Sequence, residues 1–160
     1  MHNWQNLEVG QVFETGTITL SKRDILEFAA EFDPQPYHLE TEAAEASIFG
    51  GLCASGWQVC ALMTRLVSDS FKAHGIAIQG IQTIPNLQWK IPVFAEDSLW
   101  ANVAIAKCNK ESGLLGCDIE VKNQHQKVAL TLSMTLRIAP ELAPELAPQS
   151  ADQSTGSNSL

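Results

Sequence analysis

An aspartate and a histidine stand five positions apart in Phe32-Asp33-Pro34-Gln35-Pro36-Tyr37-His38, and two prolines restrict the backbone between them. A carboxylate can hold a water molecule and take its proton, while an adjacent imidazole gives or takes a proton near neutral pH. Addition of water to a double bond, or its removal, requires such a pair. The same spacing also arises as plain turn chemistry after a helix, where the Asp does no more than cap backbone groups. Further along, Phe49-Gly50-Gly51-Leu52-Cys53-Ala54-Ser55-Gly56-Trp57 leads into an apolar helical stretch. The free N–H groups at that helix start suit a carbonyl oxygen that gains negative charge as its neighbouring carbon gains or loses a proton. The plainer reading makes Ser55 an N-cap and Gly56 a small packing residue.

The elements that would position these residues are legible from periodicity. Residues 11–20 carry β-branched residues on alternate positions and predict a strand. Ser21 then reads as an N-cap, with Asp24 at the acidic position of a capping box, so a helix is expected from there to Phe32. Asp33-Pro34-Gln35-Pro36 cannot continue it, and the chain turns at Asp33. Residues 41–46 suit one short helical turn. From Gly56 to about Phe71 the residues Val59, Cys60, Leu62, Met63, Leu66 and Val67 make a helix that is apolar nearly all round, as a helix covered by a sheet must be.

The rest of the domain reads as strands: around Ile81 to Trp89, then Ser98 to Lys107, Leu114 to Lys122 and Lys127 to Ile138, with a hairpin turn at Asn123-Gln124-His125-Gln126. The last strand alternates Val128, Leu130, Leu132, Met134, Leu136 and Ile138 with smaller or polar residues, so one of its faces lies on a core. The fold class is therefore α+β, a single hot-dog domain over residues 1–139 in which a long central helix is wrapped by a curved antiparallel sheet. Residues 140–160 repeat Pro-Glu-Leu-Ala and continue into a Ser/Gln-rich stretch, which is expected to be a disordered tail.

Composition excludes several functions. The net charge is −8 and the basic residues are dispersed, so no phosphate-tracking stripe exists and nucleic acid is not an expected partner. The N-terminal residues lack a basic and an apolar region, and no later run is long enough to cross a bilayer. A cytoplasmic location, away from membranes, is expected. Cys53, Cys60, Cys108 and Cys117 form no Cys-x-x-Cys and sit among apolar neighbours, as reduced core thiols do. Cys108 and Cys117 flank a turn at Asn109-Lys110-Glu111-Ser112-Gly113 and could face one another, with a reduced pair expected. Asp33 and His38 have no further ligands at close spacing, so a metal is not expected. Trp89 and Trp100, on strands, read as core or dimer-interface aromatics.

Over most of residues 7–138 the chain resembles the MaoC-like dehydratases, which include the R-specific enoyl-CoA hydratases. The resemblance is carried by Asp-x-x-Pro-x-His, here Asp33, Pro36 and His38, and by Phe49-Gly50-Gly51 and Ser55-Gly56-Trp57 leading into the central helix. It is carried also by Pro92-Val93-Phe94-Ala95-Glu96-Asp97, which looks like the family's Pro-Val-x-x-Gly-Asp, with Ala95 read as the residue in the place of Gly. Ser55-Gly56 stands where members often have His-Gly, and Thr64 where they have a helix Ser. The resemblance implies a homodimer that reversibly hydrates a 2-enoyl thioester, with coenzyme A as the expected carrier, to the (R)-3-hydroxyacyl form. Asp33 and His38 would be its catalytic acid/base pair, and Gly56, Ser55, Trp57 and Thr64 its oxyanion and substrate-binding residues. No cofactor beyond the substrate's own CoA is implied. The competing readings are a hot-dog acyl-CoA thioesterase, which needs a carboxylate but no histidine, and a non-catalytic acyl-binding subunit.

Overall fold

A computed structural model of the protein describes residues 4–139; the expected tail at 140–160 lies outside the described residues. After a short turn at Trp4–Asn6 the elements are β1 (Val12–Glu14), β2 (Ile18–Thr19), α1 (Lys22–Phe32), α2 (Pro36–Leu39) and α3 (Thr41–Glu45). They continue with α4 (Gly56–Ala73), β3 (Ile78–Trp89), β4 (Ser98–Asn109), β5 (Leu114–Lys122) and β6 (Val128–Ile138). The strands form an antiparallel sheet in the order β1-β4-β5-β6-β3, with β2 added alongside β4. This is the hot-dog arrangement expected from the sequence.

The strand expected over residues 11–20 is two short strands. Both pair with β4: Phe13 opposes Val103, and Ile18 opposes Leu99. Between them Thr15 bonds to Ala101 twice, its N–H donating to the Ala101 carbonyl at 2.9 Å and its hydroxyl accepting the Ala101 N–H at 2.9 Å. A side-chain oxygen thus takes over part of the ladder, and regular pairing stops there.

The core lies between α4 and the inner face of the sheet. Val59, Met63, Val67 and Phe71 of α4 join Val103, Ile105, Leu115, Ile119, Leu130 and Leu132 in one buried cluster. Each such side chain contributes about 1.5–3 kcal/mol on burial, which outweighs the weak helix preference of valine and phenylalanine in α4. On β6 the buried residues are Ala129, Leu130, Leu132, Met134, Leu136 and Ile138, which follows the alternation read from the sequence from Leu130 onward.

β3 differs from the other long strands. It is an edge strand, its register against β6 slips at several points, and most of its length is exposed. Pro85 lies within it, which an edge tolerates because no N–H is needed on the open side. Ile81, Ile84 and Trp89 are large apolar residues left exposed along this strand.

The sheet also places the cysteines. Cys108 opposes Leu115 and Cys117 opposes Ile105, so the two do not face one another, and all four cysteines are free. Burial pushes the Cys117 thiol up to about 12. No helix among the described residues is long and apolar enough to cross a membrane.

Candidate active site

α1 delivers the first carboxylate. Its start is fixed by the capping box: the Ser21 hydroxyl accepts the Asp24 N–H at 3.1 Å, and the Asp24 carboxylate accepts the Ser21 N–H at 3.0 Å. Its end is Asp33, whose N–H donates to the Ala29 carbonyl at 3.0 Å before the prolines force the chain away. Pro36 then occupies the first position of α2, where a missing N–H costs nothing, and this short turn carries His38 inward. The sequence reading did not anticipate α2. Its signal was Pro36 itself, which is as much a helix starter as a breaker.

The His38 side chain is nearly buried, with 6% exposed, while that of Asp33 keeps 24%. His38 Nε2 stands 3.5 Å from Asp33 Oδ2. Its other nitrogen, Nδ1, lies 2.8 Å from the Cys53 carbonyl. A carbonyl only accepts, so Nδ1 carries a hydrogen in either charge state and Nε2 is the nitrogen that exchanges its proton. Tyr37 packs edge-on against the imidazole at 4.5 Å, and Phe49 stacks parallel to it at 6.3 Å.

The loop that supplies the Cys53 carbonyl is itself tied down. Gly50 adopts a left-handed backbone, φ 68°, which a side chain would strain. Cys53 then bridges Phe94, and the Ala54 N–H donates to the Val93 carbonyl at 2.8 Å. Burial raises the Cys53 thiol, so this residue serves the site through its backbone and not as a thiolate nucleophile. The turn it meets, Phe94 to Asp97, is closed by the Phe94 N–H donating to Asp97 Oδ2 at 2.8 Å. Its left-handed residue is Glu96, φ 65°. That corrects the sequence reading: the place suited to glycine in this motif is Glu96, one residue beyond Ala95.

Ser55 caps α4, accepting the Trp57 N–H at 3.2 Å. The same hydroxyl donates to Asp33 Oδ2 at 2.6 Å. Ser55 is fully buried, and its single proton is committed to Asp33. The structure therefore places it behind the carboxylate and not at the substrate-binding position expected for it. Gly56 follows as the first residue of α4, and its N–H has no acceptor among the described residues.

Asp33, His38, Gly56 and Trp57 all line one cavity of about 380 Å³, closed further by Tyr37 and Phe49. The volume is at the low end for small-molecule sites, and a polar pair facing apolar walls is the usual composition of one. Thr64 is not brought here. Two turns along α4, its hydroxyl donates back to the Cys60 carbonyl at 2.9 Å, and it borders a separate groove between α4 and β3. The sequence reading missed Trp89, which lines the cavity from the end of β3. Its indole N–H donates to the Gly56 carbonyl at 2.9 Å, and its ring meets that of Trp57 edge-on at 5.3 Å.

A hot-dog domain with a carboxylate and an imidazole at the mouth of its central helix defines the class. The MaoC like domain family matches residues 5–129, and the chain belongs to that family. The chain is 35% identical over 109 residues to the uncharacterized protein YdeM of Bacillus subtilis (strain 168), an alignment spanning 68% of this chain and 76% of YdeM. Among solved structures it resembles the MaoC-like dehydratase from Rhodospirillum rubrum, with TM-score 0.69 and 31% identity over 85% of this chain and 97% of that one. It also resembles the R-hydratase PhaJ1 from Pseudomonas aeruginosa, with TM-score 0.64 and 26% identity over 92% of this chain and 94% of that one.

Proposed function

We propose that the protein is a reversible hydratase/dehydratase acting on a 2-enoyl or (R)-3-hydroxyacyl thioester, with coenzyme A as the carrier. The observation that carries this reading is the 3.5 Å approach of Asp33 Oδ2 and His38 Nε2 on the wall of one apolar cavity. In the hydration direction, Asp33 takes a proton from water as its oxygen bonds to C3, and His38 delivers the Nε2 proton to C2. Asp33 is then left with the proton taken from water and His38 one proton short, and transfer across the pair restores both groups. Addition occurs from one side of the double bond because both groups lie on one side of the cavity. The Gly56 N–H, at the positive end of α4, accommodates the thioester oxygen as charge builds on it. Trp57 forms part of the wall against the acyl chain.

The scheme needs no metal or redox group. The R-hydratase PhaJ1 supports the choice of reaction, and the 26% identity to it leaves the acyl group to experiment. A homodimer belongs to the same reading: β3 leaves an unpaired, partly apolar edge that a second copy would cover. Four free thiols suit a reducing, cytoplasmic setting.

The test follows loss of enoyl absorbance and release of free thiol together, on crotonyl-CoA and on longer and branched enoyl-CoAs. Loss of the enoyl signal without thiol release is the expected result. Thiol release instead would make the protein a thioesterase, and neither signal on any substrate would make it a binding subunit.

A further inference from the structure

The reaction scheme gives Trp89 no part, yet this residue is bonded to the machinery more closely than a wall requires. We propose that Trp89 is a positioning residue for Asp33, acting through a one-directional chain of hydrogen bonds that crosses the first peptide of α4. The proposal rests on the hydratase reading for its kinetic test, and on geometry alone for its physical one.

The chain runs as follows. The Trp89 indole N–H donates to the Gly56 carbonyl at 2.9 Å. That carbonyl shares a peptide unit with the Trp57 N–H, which donates to Ser55 Oγ at 3.2 Å. Ser55 Oγ donates in turn to Asp33 Oδ2 at 2.6 Å. Every donor points the same way, so each bond polarises the next and the effect accumulates on the carboxylate oxygen. Oδ2 is also the oxygen that faces His38 Nε2, whereas Oδ1 has no partner among the described residues. Fixing Oδ2 in this way leaves Oδ1 to receive water.

Close packing makes the first link specific. A Cβ on residue 56 would lie 2.6 Å from Trp89 Nε1 and 2.8 Å from Cε2, so the indole rests directly on the glycine backbone. Trp89 is also 46% exposed, which is more than a residue placed only to fill the core would keep. An aromatic wall needs the ring; the chain needs the N–H as well. Trp89→Phe separates the two.

The experiment is a double-mutant cycle of Trp89→Phe and Ser55→Ala, read as kcat and KM on crotonyl-CoA. Each single change is expected to lower kcat about tenfold with KM within about twofold, and the double variant to be no slower than Ser55→Ala alone, since the chain is already cut. Multiplying losses, or a Trp89→Phe variant with full kcat, would overturn the proposal. A second readout does not depend on turnover: the indole ¹H–¹⁵N resonance of Trp89, identified by its absence in Trp89→Phe, is expected to shift in both Ser55→Ala and Asp33→Asn. An unmoved resonance in both would refute the chain. If the wild type hydrates no enoyl thioester while that resonance responds, the hydratase reading falls and the chain stands.

Discussion

The Nδ1–H of His38 donates to the backbone carbonyl of Cys53 across 2.8 Å, and this one bond decides which ring nitrogen meets Asp33. The carbonyl belongs to a segment bridged to Phe94, so the orientation of the imidazole is set by backbone pairing remote from the α1–α2 turn that carries it.

In the proposed scheme, replacing Asp33 by Asn retains its shape and removes the base, and replacing His38 by Gln removes the proton donor. Each change is expected to lower turnover by about two to four powers of ten while both variants fold. Hydration rate and melting temperature measured on the same samples check this. Near-normal hydration by either variant would refute the assigned roles.

Gly56→Ala sets helix preference against sterics. Alanine is the better helix former by at most about 1 kcal/mol at this first helical position, but its Cβ would press on the Trp89 indole at 2.6 Å. Overpacking of this kind costs about 1–3 kcal/mol, so a net loss of stability is expected. Adding Trp89→Ala removes the clash, and urea denaturation should show the double variant recovering part of what Gly56→Ala lost.

Asp24 links α1 to pH. Hydrogen bonds from the Ser21 hydroxyl and backbone N–H hold its carboxyl below the ordinary aspartate range. A lowered value in the folded state means that the stabilisation is complete above about pH 3.9 and is lost as pH falls through the lowered value. Asp24→Ala should therefore melt below the wild type at neutral pH, with the gap closing in acid. A gap that persists unchanged at about pH 2 would contradict the capping role.

The exposed edge of β3 is expected to bury itself against a second copy. Sedimentation at micromolar concentration should give a dimer, and Ile84→Lys, which places a charge on that edge, should shift it toward monomer. A wild type that remains monomeric and fully active would contradict the assembly proposed here.

Where the chain repeats a period, the sequence predicted its structure closely. Ser21 and Asp24 marked the start of α1, β5 matched its expected bounds, and the buried face of β6 fell on the expected residues from Leu130 onward. Asp33 and His38 were legible because prolines restrict the short span between them. What escaped depends on groups distant in sequence. The Thr15 hydroxyl interrupts a strand by bonding to Ala101, the Ser55 hydroxyl turns toward Asp33, and Trp89 reaches Gly56. Thr64, expected at the site, borders another groove because of its place along α4.

The pairing of β3 with β6 also bears on the order of folding. Ile81 opposes Leu136 and Trp89 opposes Leu130, whereas β4, β5 and β6 are joined by tight hairpins. A long loop must close before β3 gains its strand partner β6, while the α1 cap and the turn from Asp33 to His38 form from neighbours in sequence. The topology thus lets the turn that carries the polar pair form early, while the orientation of His38 waits on the pairing of Cys53 with Phe94 and the Trp89 wall comes last. During refolding, helical signal should return ahead of catalytic activity.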